Sequence, residues 1–390
     1  MKLTMTCCLG LLLAIGSLAA AHQLAAQSNP PCGGVSGIAF TNWSQFGFDP
    51  CHSSYNPNEF ILGSSTVKNL VFDWEYATAG LISSSPAVAD GVVYVGSLDN
   101  NLYALNASTG ALLWKYTTGN YIWNSSPAVA NGVVYIGSFD YNLYALNAGT
   151  GELLWKYATS GYVASAPTVA DGVVYVGSDD NSLYALNAAS GALLWKYTTG
   201  SHVQSSPAVA NGVVYVSSDD NNLYALNAAT GELLWKYTTE SYVISSPAVA
   251  EGVVYFGSED NNLYALNAAT GVLLWKYTAG EVASSPAVAN GVVYIGSGYN
   301  LYALKAKTGE FLWSYWTNGP IAYSSPAVAN GVVYLGSFDY NLYVLNASTG
   351  ALLWKYATPG VIQCSPAVTN GVVYVGSGDG NLYTFHLPGQ

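Results

Sequence analysis

The chain contains no arginine, and charged residues make up only 8% of its 390 residues. The cationic side chains are therefore all lysines, ten in number against 22 acidic residues, which gives a formal net charge of −12. Proteins that bind nucleic acids or anionic membranes use Lys and Arg to neutralise phosphates, and no basic segment here could do so. We expect neither a nucleic acid nor an anionic membrane surface as a partner.

Long apolar runs are also scarce, although apolar residues make up 51% of the chain. One run extends from Leu9 to Ala21 behind Lys2, and small residues allow cleavage after Ala21 or Ala26. This pattern is typical of a signal peptide, predicted as residues 1–26, with an uncleaved anchor as the alternative. We expect an exported protein, periplasmic or extracellular and soluble, with no transmembrane segment after signal removal. No cysteine directly follows the apolar run, so a lipoprotein is not expected.

The dominant feature that is present is a repeat of 39 to 41 residues. In the first unit, short apolar strands are predicted at 84–89, 92–96, 102–106 and 111–117, separated by turn residues such as Asp90-Gly91. Ser-Pro-Ala-Val or a close variant marks the start of each unit, with its proline at Pro86, Pro127, Pro167, Pro207, Pro247, Pro286, Pro326 and Pro366. Four antiparallel strands repeated eight times predict an all-β fold, an eight-bladed β-propeller. A β-solenoid is the alternative, but its coils use shorter repeats and parallel strands.

The two ends of the repeat array complement each other. The last unit stops after the predicted strands 372–376 and 382–385 and lacks a tryptophan strand, whereas the strand around Trp74 has no preceding partners. We therefore predict that residues 70–77 complete the eighth blade and close the ring, which removes open sheet edges. This divides the mature chain into an N-terminal extension, residues 27–69, and the propeller, residues 70–387.

Each unit carries a spaced motif at the end of its third strand. In the first unit, Ala104, Asn106, Thr109, Gly110 and Trp114 occupy positions 1, 3, 6, 7 and 11. This spacing resembles the tryptophan docking motif of PQQ-type repeat propellers, a family that includes quinoprotein dehydrogenases and BamB-like proteins. The resemblance implies that each indole stacks near the glycine of a neighbouring blade. It assigns structural docking to Trp74, Trp114, Trp155, Trp195, Trp235, Trp275, Trp313 and Trp354, and to Gly110, Gly151, Gly191, Gly231, Gly271, Gly309 and Gly350.

Three cysteines follow the predicted signal peptide. Cys32 and Cys51 flank one short segment and could form a disulfide in an oxidising compartment. Cys364 replaces a serine found at most equivalent positions, so it is interpreted as a small buried residue. No Cys/His spacing predicts a zinc site, and no Ser/His/Asp order predicts hydrolysis, so no catalytic residue is assigned.

An aspartate recurs in the turn between the second and third strands, at Asp99, Asp140, Asp180, Asp220, Asp260, Asp339 and Asp379. Such a ring suggests a cation site. However, each aspartate occupies a position that an Asx-type turn favours. We therefore predict a turn role and no metal site.

Residues that differ between the units are the candidates for binding. They lie in the loops entering each Ser-Pro-Ala-Val strand and in the turn that carries the aspartate. We predict a candidate ligand face at Tyr121, Trp123, Asn124, Phe139, Tyr141, His202, Gln204, Tyr242, Trp316, Tyr323, Phe338 and Tyr340. Aromatic and amide side chains suit a sugar, peptide or aromatic ligand. The alternative is that they only cover the end of the core.

Two functions follow from these features. The first is an exported, non-enzymatic and monomeric scaffold or binding propeller without a cofactor, which contacts a protein partner or a small ligand. The second, implied by the resemblance, is a PQQ- and calcium-dependent dehydrogenase of alcohols or sugars. The first is favoured because the chain has no arginine for the carboxylates of PQQ and no vicinal cysteines in its mature part.

Overall fold

Each repeat forms an antiparallel sheet because its apolar strands are joined by residues that accept positive φ. Asp90 and Gly91, for example, have φ of 51° and 78° and connect the first two strands of their blade. The computed structural model describes residues 42–389. In this part of the chain, eight sheets of four repeat strands are present, and one of them gains a fifth short strand. This confirms the predicted all-β, eight-bladed propeller.

The blades are numbered 1 to 8 by their innermost strands, which line the central channel. The innermost strands are Ala87–Ala89, Ala128–Ala130, Thr168–Ala170, Ala208–Ala210, Ala248–Ala250, Ala287–Ala289, Ala327–Ala329 and Ala367–Thr369. The second strands are Val92–Gly96, Val133–Gly137, Val173–Ser178, Val213–Ser218, Val253–Gly257, Val292–Ser297, Val332–Gly336 and Val372–Gly376. The third strands are Asn101–Asn106, Asn142–Asn147, Ser182–Asn187, Asn222–Asn227, Asn262–Asn267, Asn300–Lys305, Asn341–Asn346 and Asn381–His386. The outermost strands of blades 1 to 7 are Leu112–Thr117, Leu153–Ala158, Leu193–Thr198, Leu233–Thr238, Leu273–Thr278, Phe311–Trp316 and Leu352–Ala357.

The outermost strand of blade 8 comes from the other end of the chain. Val71–Ala77 pairs antiparallel with Asn381–His386. The ring is therefore closed between the N-terminal and C-terminal parts of the propeller, which confirms the predicted closure. A short 3-10 helix, Val67–Asn69, precedes this strand.

The innermost strands are shorter than predicted. The first blade was expected to begin its strand at residue 84, but the ladder covers only Ala87–Ala89. Pro86 has no amide hydrogen to donate, and the Ser85 amide donates instead to the Ser126 hydroxyl of the next blade at 3.0 Å. The backbone before the strand therefore links neighbouring blades, while the Ser84 hydroxyl accepts the Gly96 amide of its own blade at 3.2 Å.

Tryptophans of the outermost strands pack against the following blade. The indole of Trp114 lies so close to Gly151 that a Cβ at Gly151 would approach its ring carbons to 2.7 Å. The Trp114 Nε1 donates to the Ala148 carbonyl at 2.9 Å. Trp354 differs because blade 8 has no third-to-fourth strand turn, and its ring packs edge-on against Phe385 with centroids 5.1 Å apart.

The N-terminal extension crosses the central channel and contacts the blades in order. Its oxygens accept hydrogen bonds from the amides of the middle residues of the innermost strands. These pairs are Val88 to Trp43, Val129 to Ser44, Val169 to the Gln45 side chain, Val209 to Pro50, Val249 to Cys51, Val288 to Ser53 and Val328 to Ser54. Blade 8 is reached by the Asn56 side-chain amide, which donates to the Val368 carbonyl at 2.9 Å. Tyr55–Asn56 is the fifth strand of the blade 7 sheet and pairs parallel with Ala327–Ala329.

His52 lies at the centre of this segment and is buried. Its Nδ1 is 3.2 Å from the Pro247 carbonyl of blade 5, and its Nε2 is 3.0 Å from the Thr168 hydroxyl of blade 3. Burial lowers the pKa of His52 to about 4. The imidazole is therefore neutral at physiological pH and bridges blades 3 and 5 across the channel as a structural group.

Candidate functional site

A cavity of about 520 Å³ opens at the end of the channel where the loops enter the innermost strands. Phe46 of the extension is part of its lining, so the extension closes the channel beneath it. Backbone hydrogen bonds join these loops to the second-to-third strand turns, for example from the Phe139 amide to the Tyr121 carbonyl at 2.9 Å. The two loop sets therefore share one face of the propeller.

A ring of serines forms the inner wall of the cavity. The Ser206 amide donates to the Ser246 hydroxyl at 2.8 Å, and the Ser246 amide donates to Ser285 in the next blade at 3.0 Å. Blade 3 interrupts this pattern because Ala166 stands at the equivalent position and has no hydroxyl. The ring fixes the distance between neighbouring blades, so we interpret it as scaffold.

Aromatic rings form one side wall, between blades 2 and 3. Phe139 stacks on Tyr162 with centroids 4.4 Å apart and planes 18° apart. Trp123 also stacks on Phe139, with ring centroids 5.7 Å apart and planes 26° apart. Tyr141 packs obliquely on Tyr162 at 5.2 Å. We call Trp123, Phe139, Tyr141 and Tyr162 the aromatic stack; its outer members Trp123 and Tyr141 are 44% and 45% exposed.

Carboxylates follow the aromatic stack around the ring. Asp179, Asp219 and Glu259 occupy the same turn position in blades 3, 4 and 5, and we call them the acidic wall. The pKa of Asp219 is raised to about 6, mainly by burial; His202 lowers it, and Asp179 and Glu259 raise it. The His202 Nδ1 lies 3.9 Å from the Asp219 Oδ2. The pKa values of Asp179 and Glu259 are also raised, mainly by burial.

Two oxygens of the acidic wall are buried without a partner. Neither the Asp179 Oδ1 nor the Asp219 Oδ1 has a hydrogen-bond partner within residues 42–389. Buried acceptors are normally paired because leaving them unpaired costs about 1 to 3 kcal/mol. No lysine lines the cavity among the described residues, so the chain itself supplies no cationic side chain there.

The structure brings some of the predicted ligand-face residues together. Trp123, Asn124, Phe139, Gln204 and Tyr323 line the cavity, and His202 contacts the acidic wall. Six others are not part of the cavity lining: Trp316 ends the outermost strand of blade 6, and the rest lie on the same loops, namely Tyr121, Tyr141, Tyr242, Phe338 and Tyr340. Trp316 stacks instead on Tyr299, with centroids 6.3 Å apart.

Sequence reasoning missed the acidic wall and Phe46. A usable signal was present, because the residue before the repeated turn aspartate is apolar or glycine in other blades, as at Leu98, Phe338 and Gly378. Acidic residues in three consecutive units therefore depart from the repeat. Phe46 had no such signal, since it lies in the non-repeating extension.

The repeated aspartates form hydrogen bonds within and next to their turns. The Asp260 carboxylate accepts from the Tyr264 hydroxyl at 2.6 Å, from the Asn262 amide at 3.1 Å and from the Glu240 amide at 3.1 Å. Burial alone would raise the pKa of Asp260, but these hydrogen bonds lower it overall. This geometry supports the turn interpretation. Within residues 42–389, no group of three or more His, Cys, Asp or Glu side chains is arranged to hold a metal ion.

The cysteines occupy structural positions. Cys51 is disulfide-bonded, but its predicted partner Cys32 lies outside the described residues, so that pairing stays a prediction. The predicted signal peptide, residues 1–26, also lies outside them. Cys364 is buried, and its sulfur accepts the Gly376 amide at 3.1 Å, as serines do in other blades. Burial raises the pKa of Cys364 to about 12, so this thiol is protonated and unreactive at neutral pH.

The eight blades and their tryptophan-to-glycine contacts define a PQQ-type repeat propeller. A family model described as "Outer membrane protein assembly factor BamB" matches residues 72–122, 117–205, 187–321 and 316–387. These spans cover most of the chain, which therefore belongs to this family. No helix among residues 42–389 is long and apolar enough to cross a membrane.

Similar proteins include BamB and proteins named as enzymes. BamB from Moraxella catarrhalis is 19% identical with a TM-score of 0.72, covering 81% of this chain and 99% of that chain. Quinohemoprotein alcohol dehydrogenase from Comamonas testosteroni is 17% identical with a TM-score of 0.78, covering 90% of this chain and 81% of that chain. Lupanine 17-hydroxylase [cytochrome c] from Pseudomonas sp. is 36% identical over 96 residues, which are 24% of this chain and 13% of that protein. The chain thus matches only a small part of this relative, and the structural likeness concerns the fold.

Proposed function

We propose that this protein is an exported, monomeric binding propeller without enzymatic activity, which presents the cavity on its loop face to a small ligand or a protein partner. The observation that carries the proposal is the location of the departures from the repeat. Residues that recur in most blades form the serine ring and the docking contacts, whereas Trp123 of blade 2 and the acidic wall of blades 3 to 5 depart from the repeat. A rigid propeller whose non-repeated residues are concentrated at one cavity is suited to binding a ligand or a partner there. Export rests on the signal-peptide pattern of residues 1–26.

The cavity lining argues against PQQ as a resident cofactor. PQQ carries carboxylates, and a site for it needs cationic or hydrogen-bond donating groups that face those carboxylates. The donors in the cavity lining are neutral groups such as Asn124, Gln204 and Gln363, the lining also carries Asp179 and Glu259, and the chain has no arginine. Like charges at close range are unfavourable. The residues present therefore do not fit this cofactor.

A PQQ- and calcium-dependent dehydrogenase of alcohols or sugars is the second candidate function. It is favoured by the fold likeness to quinohemoprotein alcohol dehydrogenase and by the partial match to lupanine 17-hydroxylase. Under this alternative, the cavity at the channel mouth is where the cofactor would have to lie.

One experiment separates the two candidates. The mature protein, residues 27–390, is titrated calorimetrically with PQQ in the presence and in the absence of calcium. The same samples are assayed with alcohols and sugars and an artificial electron acceptor. We expect no stoichiometric binding and no turnover. Calcium-dependent 1:1 binding with turnover would overturn the binding proposal and establish the dehydrogenase. A known quinoprotein that is loaded in parallel controls for active PQQ.

A further inference from the structure

We propose that the cavity binds a small organic cation, an aromatic amine or a quaternary ammonium compound. Its charge would lie at the acidic wall and its apolar body on the aromatic stack. This inference rests on the proposed function, because it names the ligand class of the same cavity. It draws on the charge of the lining, two unpaired oxygens and the order of the two walls.

Within residues 42–389, the acidic wall has three carboxylates and one basic neighbour, His202. Asp179, Asp219 and Glu259 repel one another across neighbouring blades, and His202 at 3.9 Å is the basic group that the structure places beside Asp219. Lys196 approaches the neighbouring turn aspartate Asp180, at 3.8 Å. Opposite charge within about 4 to 6 Å stabilises ionised carboxylates. A cation from solution would supply the charge that the lining lacks.

The unpaired oxygens give the cation a position. The Oδ1 atoms of Asp179 and Asp219 are buried and accept no hydrogen bond from the described residues. Asp179 lines the cavity directly, whereas Asp219 is outside the lining and acts on it through its charge. A primary ammonium group offers three donors, and a quaternary one offers a positive surface without donors. Both satisfy the electrostatic need, and the first also satisfies the unpaired acceptors.

The two walls meet at blade 3. The Asp179 amide donates to the Tyr162 carbonyl at 2.9 Å, so the acidic wall begins where the aromatic stack ends. Aromatic faces carry negative potential and attract cations within about 6 Å of the ring centre. Both walls therefore favour positive charge, and the stack also offers a flat apolar surface.

The size and chemistry of the cavity select among ligands. Its volume of about 520 Å³ lies within the range of roughly 300 to 1,000 Å³ that is typical of small-molecule sites. A metal ion would use the carboxylates alone, and a neutral sugar would use the stack alone. An organic cation with an apolar body uses both, and an anion is repelled by both.

The test is a calorimetric titration of the mature protein at pH 7.5 and low ionic strength. The cationic probes are benzyltrimethylammonium chloride and phenethylamine. The comparators are benzyl alcohol, phenylacetate and calcium chloride, which represent a neutral ligand, an anionic ligand and a metal ion. We expect saturable 1:1 binding of at least one cationic probe, with benzyl alcohol and phenylacetate at least tenfold weaker.

Matched variants locate the binding. Asp219→Asn should weaken binding of the cationic probe about tenfold, and Trp123→Ala should weaken it several-fold. Glu232→Gln is the control, because it removes the same charge from the same blade at an exposed position in the turn at its other end. It should leave the affinity unchanged. Thermal melts confirm that each variant is folded, and Asp179→Asn replaces Asp219→Asn if the latter does not fold.

Several outcomes would overturn the inference. Equal affinity for benzyl alcohol would indicate stacking without charge recognition, and binding of calcium without either organic cation would indicate a metal site. Binding that is insensitive to both Asp→Asn variants, or no binding of either cationic probe, would also refute it. These results leave the proposed binding function standing, because that function fails only if PQQ and calcium bind and support turnover.

Discussion

A methyl group added at Gly271 should destabilise the propeller far more than one added at Gly252. Both glycines have positive φ, 70° and 77°, so alanine at either position meets the same backbone penalty of about 1 to 2 kcal/mol. A Cβ at Gly252 would meet no heavy atom within 4 Å, whereas a Cβ at Gly271 would lie 2.7 Å from the Trp235 ring. Gly252 is therefore a matched control for the docking contact.

The extra cost at Gly271 comes from displacing the indole. Forcing a methyl group into a packed contact costs about 1 to 3 kcal/mol. Moving Trp235 would also weaken or break the hydrogen bond from its Nε1 to the Ala268 carbonyl at 3.0 Å. Such a hydrogen bond contributes about 1 kcal/mol to stability. We expect Gly271→Ala to lower the free energy of unfolding by about 2 to 4 kcal/mol more than Gly252→Ala.

The assay is equilibrium unfolding in urea, followed by far-ultraviolet circular dichroism. In a Trp235→Ala background the steric conflict is absent, so Gly271→Ala should cost no more than Gly252→Ala does there. If both single substitutions lowered the free energy of unfolding equally in the wild-type background, the docking contact would carry no packing energy and the reasoning would be wrong.

Three further predictions concern other parts of the fold. A chain that begins at residue 79 lacks both Val71–Ala77 and the channel segment 43–56, and it should melt well below the full protein in calorimetry because blade 8 is left open and the channel contacts are lost. An unchanged melting temperature would contradict a stabilising role for either feature. Burial lowers the pKa of His52 from 6.5 to about 4, so the unfolded chain binds this proton first as the pH falls. The wild type should therefore lose roughly 3 kcal/mol of unfolding free energy relative to His52→Gln between pH 6.5 and pH 4. A pH-independent difference between the two proteins would refute this. Tyr264→Phe removes a hydrogen bond of 2.6 Å to Asp260 and should raise the pKa of that carboxyl in an NMR titration; an unchanged pKa would show that the other donors suffice.

The architecture could be predicted because its causes are local. Turn residues such as Asp90 and Gly91 and the apolar strands between them recur in every unit, and the incomplete units at the two ends pointed to the closure by residues 70–77. The predicted start of the innermost strands was wrong because the Ser85 amide donates to the neighbouring blade and not to a strand of its own blade. Bonds between units are not visible in the pattern of one unit.

The candidate site was predicted only in part. Trp123 stood out because it departs from an otherwise repeated loop. Phe139 stood out because it is aromatic at a turn position that varies between the units. Asp179 and Asp219 did not, because each precedes a turn aspartate and resembles part of the same turn. Asp179 and Glu259 line the cavity and Asp219 lies in the blade between them, an arrangement that appears only when consecutive blades are placed around the channel.

The segment across the channel has a consequence for assembly. Nearly identical units can pair with the wrong neighbour, and nothing within a single unit determines how many of them make a ring. Residues 43–56 offer one oxygen or amide to each blade in turn, from Val88 in the first to Val368 in the eighth. A ring of seven or nine units would leave this series of contacts incomplete or out of step. In the folded protein this series of contacts is therefore complete only in a ring of eight blades.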